Sequence, residues 1–337
     1  MAFLCIDKSA FNHNLRYYTN KGSKESLIIG LKDNAYGHGI QWIEPLAIEF
    51  GIQHCFIRGV ADLEKLTPSL WSSILILGSV KTNRSIVPGN INYSVNCLSD
   101  LDYFYAGDTV EIKVNTGMNR NGIEVDDVIP VIENLIKKGV SIEGIFTHFS
   151  SSDTSVEQTF LQSKAFEALV ATLREKFPSL KFRTHAANTA GTEYIDSYES
   201  MRVGIGCYGY SNFSYVNKEL RPVLSLFAER ISSREIGPGA SVGYDHNFFK
   251  NGNVPKVVST FDIGYADVCI RSNVNDPVVL NDKTLVIGKP SMDSFSAFTN
   301  VEQICVFRNV EELAKRANTI VYDILVNINH EIRRIVI

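Results

Sequence analysis

The sequence predicts an α/β chain, a (β/α)8 TIM-type barrel followed by a mostly-β domain. Three observations carry that expectation. Eight short apolar, strand-like runs alternate with helical stretches through the first two thirds of the chain. Near Leu220 the alternation stops and strand-like segments dominate. Polar side chains also recur just past the apolar runs, at the end where a parallel barrel places its site.

The eight runs are 26–31, 54–60, 73–77, 91–95, 110–114, 144–148, 182–185 and 201–204. The clearest helix between them is 127–138. Val128, Ile132 and Leu135 share one face, acidic residues open it, lysines close it and Gly139 stops it. Beyond Leu220, segments 224–231, 256–263 and 320–328 read as strands between Gly, Asn and Pro turns, and only 309–317 reads as helix. The expected division is a barrel over 8–220 and a mostly-β domain over 221–337, joined by a leading strand within 1–7. Lys32 follows the first barrel strand and Arg120 the fifth. His148 ends the sixth, Asn188 follows the seventh, and Arg202 and Gly204 lie in the eighth.

At 337 residues, with 45% hydrophobic and 21% charged residues, the chain has the make-up of a globular protein with room for two cores. Thirty-three Lys and Arg against 37 Asp and Glu leave a net charge of -4 with no basic tract, which argues against nucleic acid or an anionic membrane as partner. Six scattered cysteines without a C-x-x-C pair, no signal-like N-terminus and no apolar run near 18 residues point to a cytoplasmic protein.

The stretch LIIGLKDNAYGHG, 27–39, carries the most chemical information. It runs from a buried-type strand into one lysine, Lys32, and then a polar, glycine-punctuated turn. A lysine at the mouth of a buried strand sits where desolvation favours the free amine and Schiff-base chemistry. Gly204 to Gly209 spells G-x-G-x-x-G, but no amphipathic helix or suitably placed acid follows, so a dinucleotide site is rejected. That glycine-lined stretch can still offer backbone N–H groups to a phosphate. No H-E-x-x-H or Cys/His cluster suggests a metal, and no G-x-S-x-G suggests an esterase.

Nine motifs, in order, resemble those of alanine racemases. They are LKDNAYGHG at Lys32, IKVNTGMNRNGI around Arg120, THFSSSD at His148, HAANTAG at Asn188, MRVGIGCYG at Arg202, VGYDHNF at Tyr244, IGYAD at Tyr265, SMD at Met292, and Tyr322 with Arg333 and Arg334. The resemblance covers nearly the whole chain. It implies a pyridoxal 5'-phosphate enzyme of the type III fold that interconverts L-alanine and D-alanine for peptidoglycan, as a homodimer with shared active sites. It implies that Lys32 carries the cofactor and serves as one base. Tyr244 of the other subunit would be the second base, activated by His148 and Arg202. Arg202 would face the pyridine nitrogen. Tyr36, Thr189, Tyr322 and the N–H groups of Gly204 and Ile205 would hold the phosphate, with Asn188 also at the cofactor. Arg120 and the backbone at Met292 would take the substrate carboxylate, Tyr265 would narrow the entrance, and Lys113 matches a lysine that is often carbamylated.

The chain departs from the family's usual pattern at Asn119 and Asn121, at Asp245, at Val268 and Cys269, and at Lys289, Pro290 and Ser291; it is also short. These positions bear on substrate preference, so a broad-specificity, serine or lysine racemase is the alternative. A fold-related decarboxylase would place an acid where Arg202 stands. A non-enzymatic pyridoxal-phosphate carrier would lack the second domain.

Overall fold

The computed structural model of the chain describes residues 1–81, 89–196, 198–211, 219–244, 256–270 and 278–337. These form two units. One comprises Met1–Ala10, Gly37–Gly39 and Pro222–Ile337, the other Phe11–Tyr36 and Ile40–Arg221.

In the second of these units, strands β2 (Leu27–Gly30), β3 (His54–Ile57), β4 (Ser73–Ile76), β5 (Ile91–Val95), β6 (Thr109–Asn115), β8 (Ser141–Phe146), β9 (Arg183–His185) and β10 (Met201–Val203) make a parallel sheet in the order β10-β2-β3-β4-β5-β6-β8-β9. A parallel bridge between His185 and Ser200 brings its two edges together, and the sheet is a nearly closed eight-stranded barrel. A two-residue strand, β7 (Ile123–Glu124), pairs with β6 on the side. All eight predicted barrel strands are present, with 91–95 matched at both ends and the others displaced by at most three residues at either end. The helix predicted from Val128, Ile132 and Leu135 spans Val128–Lys137, buries those residues with Val131, and is followed by Gly139 at φ 72°.

The barrel interior is divided by chemistry. Ile28, Phe56, Leu75 and Phe146 form an apolar cluster, with Leu77 packed against it. Glu111, Lys113, His185 and Arg202 are also buried, and hydrogen bonds link Glu111 to His185 and His185 to Arg202. The polar half comes from β6, where Thr109, Glu111, Lys113 and Asn115 alternate with Val110, Ile112 and Val114. Gly144 on β8 makes room for it, since a Cβ there would lie 2.7 Å from a Glu111 carboxylate oxygen.

The other unit contains strands β1 (Phe3–Ile6), β11 (Leu224–Ile236), β12 (Lys256–Phe261), β13 (Val286–Ile287), β14 (Phe295–Ala297), β15 (Gln303–Phe307) and β16 (Arg333–Val336). Their order is β13-β14-β12-β11-β1-β16, with β15 also on β11. β1 runs antiparallel to β11 and parallel to β16. The segment 320–328, expected as a strand, is instead a helix at Val321–Val326. Its β-branched composition misled. Ile320, Ile324, Leu325 and Ile328 fall at helical spacing, Ile324 and Leu325 are buried, and Asp323 ties the turn to Thr319 and Asn327.

Candidate active site

Lys32 leaves β2 into an unusual turn. Four successive non-glycine residues, Asp33 to Tyr36, have φ between 52° and 56°. A left-handed turn costs an L-residue about 1–2 kcal/mol, so this run persists only because the surroundings fix it. Ala35 N–H donates to the Leu31 carbonyl at 2.9 Å, and Ile40 N–H donates to Asn34 Oδ1 at 3.2 Å. Asp33 lies 3.5 Å from Lys32 Nζ and 3.1 Å from an Arg58 guanidinium nitrogen. The turn folds the Lys32 ammonium over the Tyr36 ring, 5.5 Å from its centroid.

The Tyr36 hydroxyl lies against Gly204, where a Cβ would come within 2.1 Å of it. Gly204 opens a 3-10 turn, Ile205–Tyr208, closed by Gly209 at φ 95°. Gly206 N–H donates to Thr189 Oγ1 at 3.3 Å. Two hydroxyls, a glycine and the start of a tight turn therefore meet at one place, the donor set expected of a phosphate cradle. Asn188 Oδ1 accepts from Ser152 Oγ at 2.7 Å and from Gly191 N–H at 2.9 Å, which sets the loop carrying Thr189. Gly204→Ala is expected to displace the Tyr36 hydroxyl and weaken pyridoxal-phosphate retention by about tenfold or more, since overpacking of a tight site costs about 1–3 kcal/mol. Titration of the cofactor into stripped protein checks it.

Arg202, 4% exposed, commits both of its terminal nitrogens to acceptors. Nη1 donates to His185 Nδ1 at 2.5 Å and to the His185 carbonyl at 3.1 Å. Nη2 donates to the Thr147 carbonyl at 2.7 Å and to His148 Nδ1 at 3.2 Å. The guanidinium stacks on Phe146 at 4.9 Å. Because Arg202 can only donate, both histidines present Nδ1 as acceptor and carry their proton on Nε2. His185 spends that proton on Glu111, 2.5 Å away, and Arg183 donates to the other Glu111 oxygen at 2.5 Å. Asn92 donates to the same carboxylate at 2.8 Å. Burial alone would raise the Glu111 pKa, but His185 and Arg183 outweigh it and hold the carboxyl well below its usual range. Burial lowers Arg202 to about 10, opposed by the Glu111 charge, so it stays a cation.

His148 stays neutral, because burial and the charges of Arg202, Lys113, Arg120 and Lys32 push it well below its ordinary value. Burial likewise lowers His185 to about 4, against the pull of Glu111. For histidines whose pKa falls on folding, the unfolded chain binds protons first, and stability falls as pH drops from about 6.5 to about 4. Each such histidine is expected to cost up to about 1.4 kcal/mol per pH unit in that window. Thermal melts at pH 7.5 and pH 5 check this, the lower pH giving the lower Tm.

Lys113 is 7% exposed, and burial, with Arg120 and Arg202, lowers its pKa to about 7. Its Nζ donates to Asn121 Oδ1 at 2.5 Å. Arg120 is exposed and has no ion pair among the described residues. The donor set here is thus cationic, with Lys32, Lys113, Arg120 and Arg202 around one neutral imidazole. Such a set fits a ligand carrying phosphate and carboxylate groups.

The remaining predicted residues lie in the strand-rich unit. Tyr265 N–H donates to the Ser291 carbonyl at 3.1 Å and Ala266 N–H to the Met292 carbonyl at 2.9 Å. These two loops are pressed so closely that a Cβ on Gly264 would lie 2.2 Å from the Met292–Asp293 backbone. Tyr244, Tyr265 and Met292 are 62%, 44% and 60% exposed. Tyr244 follows Gly243, whose φ is 79° and which neighbours Gly288 and Lys289. Tyr322 lies on the helix Val321–Val326. Arg334 donates to the carbonyls of His330, Ile332 and Gly37. Asp245 and the residues that follow it in its motif, 246–248, lie outside the described residues.

Residues 6–212 match the family model described as "Alanine racemase, N-terminal domain", and residues 223–336 the one described as "Alanine racemase, C-terminal domain". The chain belongs to the alanine racemase family. It is 35% identical to the alanine racemase of Campylobacter concisus over 340 residues, 99% of each chain, and 33% identical to that of Campylobacter jejuni over 342 residues, all of each chain. Its length is therefore no departure among these relatives. Among solved structures, the alanine racemase of Clostridium difficile 630 superposes with a TM-score of 0.85 at 23% identity, over all of this chain and 95% of that one. That of Bartonella henselae with covalently bound pyridoxal phosphate gives 0.80 at 23%, covering all of this chain and 99% of its own. At these identities the superpositions speak for the fold.

Sequence reading missed Glu111, Arg183 and His185, which anchor Arg202 from behind. A signal was present, since charged residues alternating with Val and Ile in VEIKVN mark a polar stripe inside a barrel rather than a solvated face. Among the described residues no group of His, Cys, Asp and Glu is arranged to hold a metal, and no helix is long and apolar enough to cross a membrane.

Proposed function

We infer that this chain interconverts L-alanine and D-alanine with pyridoxal phosphate, exchanging the Cα proton through one group on each face, Lys32 and Tyr244. The observation that carries this reading is Arg202, a buried cation whose two terminal nitrogens donate to neutral acceptors while Nε–H is not among those bonds, with the carboxylate, Glu111, set behind His185. A guanidinium can donate to a ring nitrogen without giving up its proton. That restrains the electron sink and favours return of a proton to Cα, whereas a decarboxylase would place an acid in that position.

The residues present fit the cofactor. Tyr36, Thr189, Tyr322 and the N–H groups of Gly204 and Ile205 would hold its phosphate, Asn188 would support that loop and Lys32 would carry its aldehyde carbon. When bound, pyridoxal phosphate supplies an electron-withdrawing system that acidifies the substrate Cα–H. The Lys32 amine moves the proton on one face. The Tyr244 phenol, ordinarily near pKa 10, moves it on the other and needs support as a phenolate. His148 can give that support, because its Nδ1 accepts from Arg202 and its Nε2–H is free to donate to the phenolate oxygen. Arg120 and the backbone of Met292 take the substrate carboxylate, and Tyr265 narrows the entrance.

Tyr244, Tyr265 and Met292 are exposed within their own unit, which suits a homodimer that shares its sites between subunits. The enzyme works in the cytoplasm, supplies D-alanine for peptidoglycan and takes neither nucleic acid nor membrane as partner. Purified protein with pyridoxal phosphate and L-alanine in D2O is expected to produce D-alanine and to lose the α-proton signal in parallel. Neither signal, from protein shown to carry cofactor, would overturn the reading. A panel with serine and lysine ranks the alternatives, which differ by groups worth only about 10–200-fold in an apolar pocket.

A further inference from the structure

Lys32 and Asp33 are consecutive in the chain, and in a strand or a helix consecutive side chains point apart. Here the left-handed conformation of Asp33, φ 52° and ψ 50°, folds its carboxylate back, so that Oδ2 lies 3.5 Å from Lys32 Nζ. Aspartate is among the few non-glycine residues that adopt this conformation readily. Its other oxygen, Oδ1, accepts from Arg58 Nη1 at 3.1 Å. Arg58 follows β3, the parallel neighbour of β2, so Lys32 and Arg58 leave the barrel at the same mouth. The Arg58 side chain is 79% exposed, but its backbone is pinned, with its N–H donating to Asp62 at 3.0 Å and its carbonyl accepting from Gly78 at 2.8 Å. Among the described residues Asp33 is the one carboxylate in ion-pair reach of Lys32. The charges of Arg120 and Arg202, by contrast, reach His148 together with that of Lys32.

We propose that Asp33, steadied by Arg58, is a positioning residue that holds the Lys32 ammonium whenever Lys32 is not bonded to the cofactor. This rests on Lys32 being the cofactor lysine, as inferred above. Lys32 is released from the cofactor when substrate takes its place, and it then removes a proton from Cα and becomes an ammonium. In a site that also holds Arg120 and Arg202, the Asp33 carboxylate offsets that charge and so assists the proton transfer. The same contact opposes attachment. To bond, the neutral Nζ attacks the aldehyde carbon, an N–C bond forms and the carbonyl oxygen leaves as water, so the ion pair must open first. Loss of the carboxylate therefore has two effects of opposite sign. A residue that merely supported the turn would, when replaced, slow both steps. With the Lys32 side chain 35% and that of Asp33 27% exposed, each effect is about two- to fivefold, the range of a partly solvated ion pair.

Asp33→Asn tests this, since asparagine keeps the side-chain shape and tolerates the left-handed turn. Stripped full-length protein is mixed with pyridoxal phosphate. The covalent link is followed by absorbance and located at Lys32 by borohydride reduction and peptide mapping. Attachment is expected to be about two- to fivefold faster than in the wild type. In the Tyr244→Phe background, α-proton exchange of alanine in D2O reports Lys32 alone, and adding Asp33→Asn is expected to slow it by about the same factor. Arg58→Gln leaves the carboxylate wholly to Lys32 and is expected to slow attachment by about twofold, but to change nothing once Asp33 is replaced. That variant carries the test if Asp33→Asn does not fold, and an unchanged attachment rate in it would then overturn the proposal. In Asp33→Asn, attachment to Lys32 at the wild-type rate, or slower attachment together with slower exchange, would overturn the proposal while leaving Lys32 as the cofactor residue. A link at another lysine in both proteins would overturn the assignment of Lys32, and the proposal with it.

Discussion

Lys32→Ala is expected to reduce alanine racemisation by at least about ten-thousand-fold, the scale seen when a residue that both bonds to a reacting group and moves a proton is deleted. The substitution leaves the left-handed turn and the phosphate cradle in place, so the variant should still bind pyridoxal phosphate, only without a covalent link. Borohydride reduction followed by peptide mapping is expected to label the wild type at Lys32 and the variant nowhere. If reduction labels another lysine and activity survives, Lys32 is not the cofactor residue.

Combining this variant with Tyr244→Phe tests whether the sites are shared between subunits. Each homodimer alone should be inactive. Where a site draws Lys32 from one subunit and Tyr244 from the other, a hybrid dimer holds one doubly damaged site and one intact site. Random exchange makes about half of the dimers hybrids, so recovery should approach about a quarter of wild-type activity. No recovery with hybrids verified by native mass spectrometry would place both groups in one chain.

Glu111→Leu is expected to cost about 3–5 kcal/mol of stability, because it leaves the buried Arg202 and the partly buried Arg183 without their anion. At about 2–4 °C per kcal/mol for a unit of this size, the Tm should fall by roughly 10 °C or more. Glu111 is fully buried and receives hydrogen bonds from Arg183, His185 and Asn92, none of which leucine can accept. The double variant Glu111→Leu with Arg183→Leu should recover part of the loss, since it removes one unpaired cation together with the anion. Racemisation should fall too, because His185 loses the acceptor that fixes its tautomer and hence the acceptor it offers to Arg202. A single variant that melts with the wild type would show that the cluster carries no net stabilisation.

The sequence by itself determined the barrel and the order of its reactive residues along the chain. Strands of four to seven apolar residues separated by helices are a local pattern, and in a parallel barrel the residues following each strand gather at one end wherever the helices pack. That is why Lys32, Arg120, His148, Asn188 and Arg202 could be assigned to one face, and why the nine motifs could be read in order. Other features were closed to a local reading. The segment 320–328 looked like a strand because its β-branched residues favour one locally, but burial of Ile324 and Leu325 on one side made it a helix. The left-handed run from Asp33 to Tyr36 contradicts the preference of Ala35 and Tyr36, and only contacts made after folding hold it.

The polar half of the barrel was decided by tertiary structure alone. Glu111, His185 and Arg183 lie up to 74 positions apart, and whether each is a solvated charge or part of a relay depends on which strands neighbour one another. The same holds for Asn96 and Asn121, 25 positions apart, whose amides are ordered by carbonyls at the ends of β4 and β5. Local sequence sets what a side chain can donate or accept. Only the closed barrel sets what it meets there, because burial removes water as a competitor and makes each of those pairings obligatory.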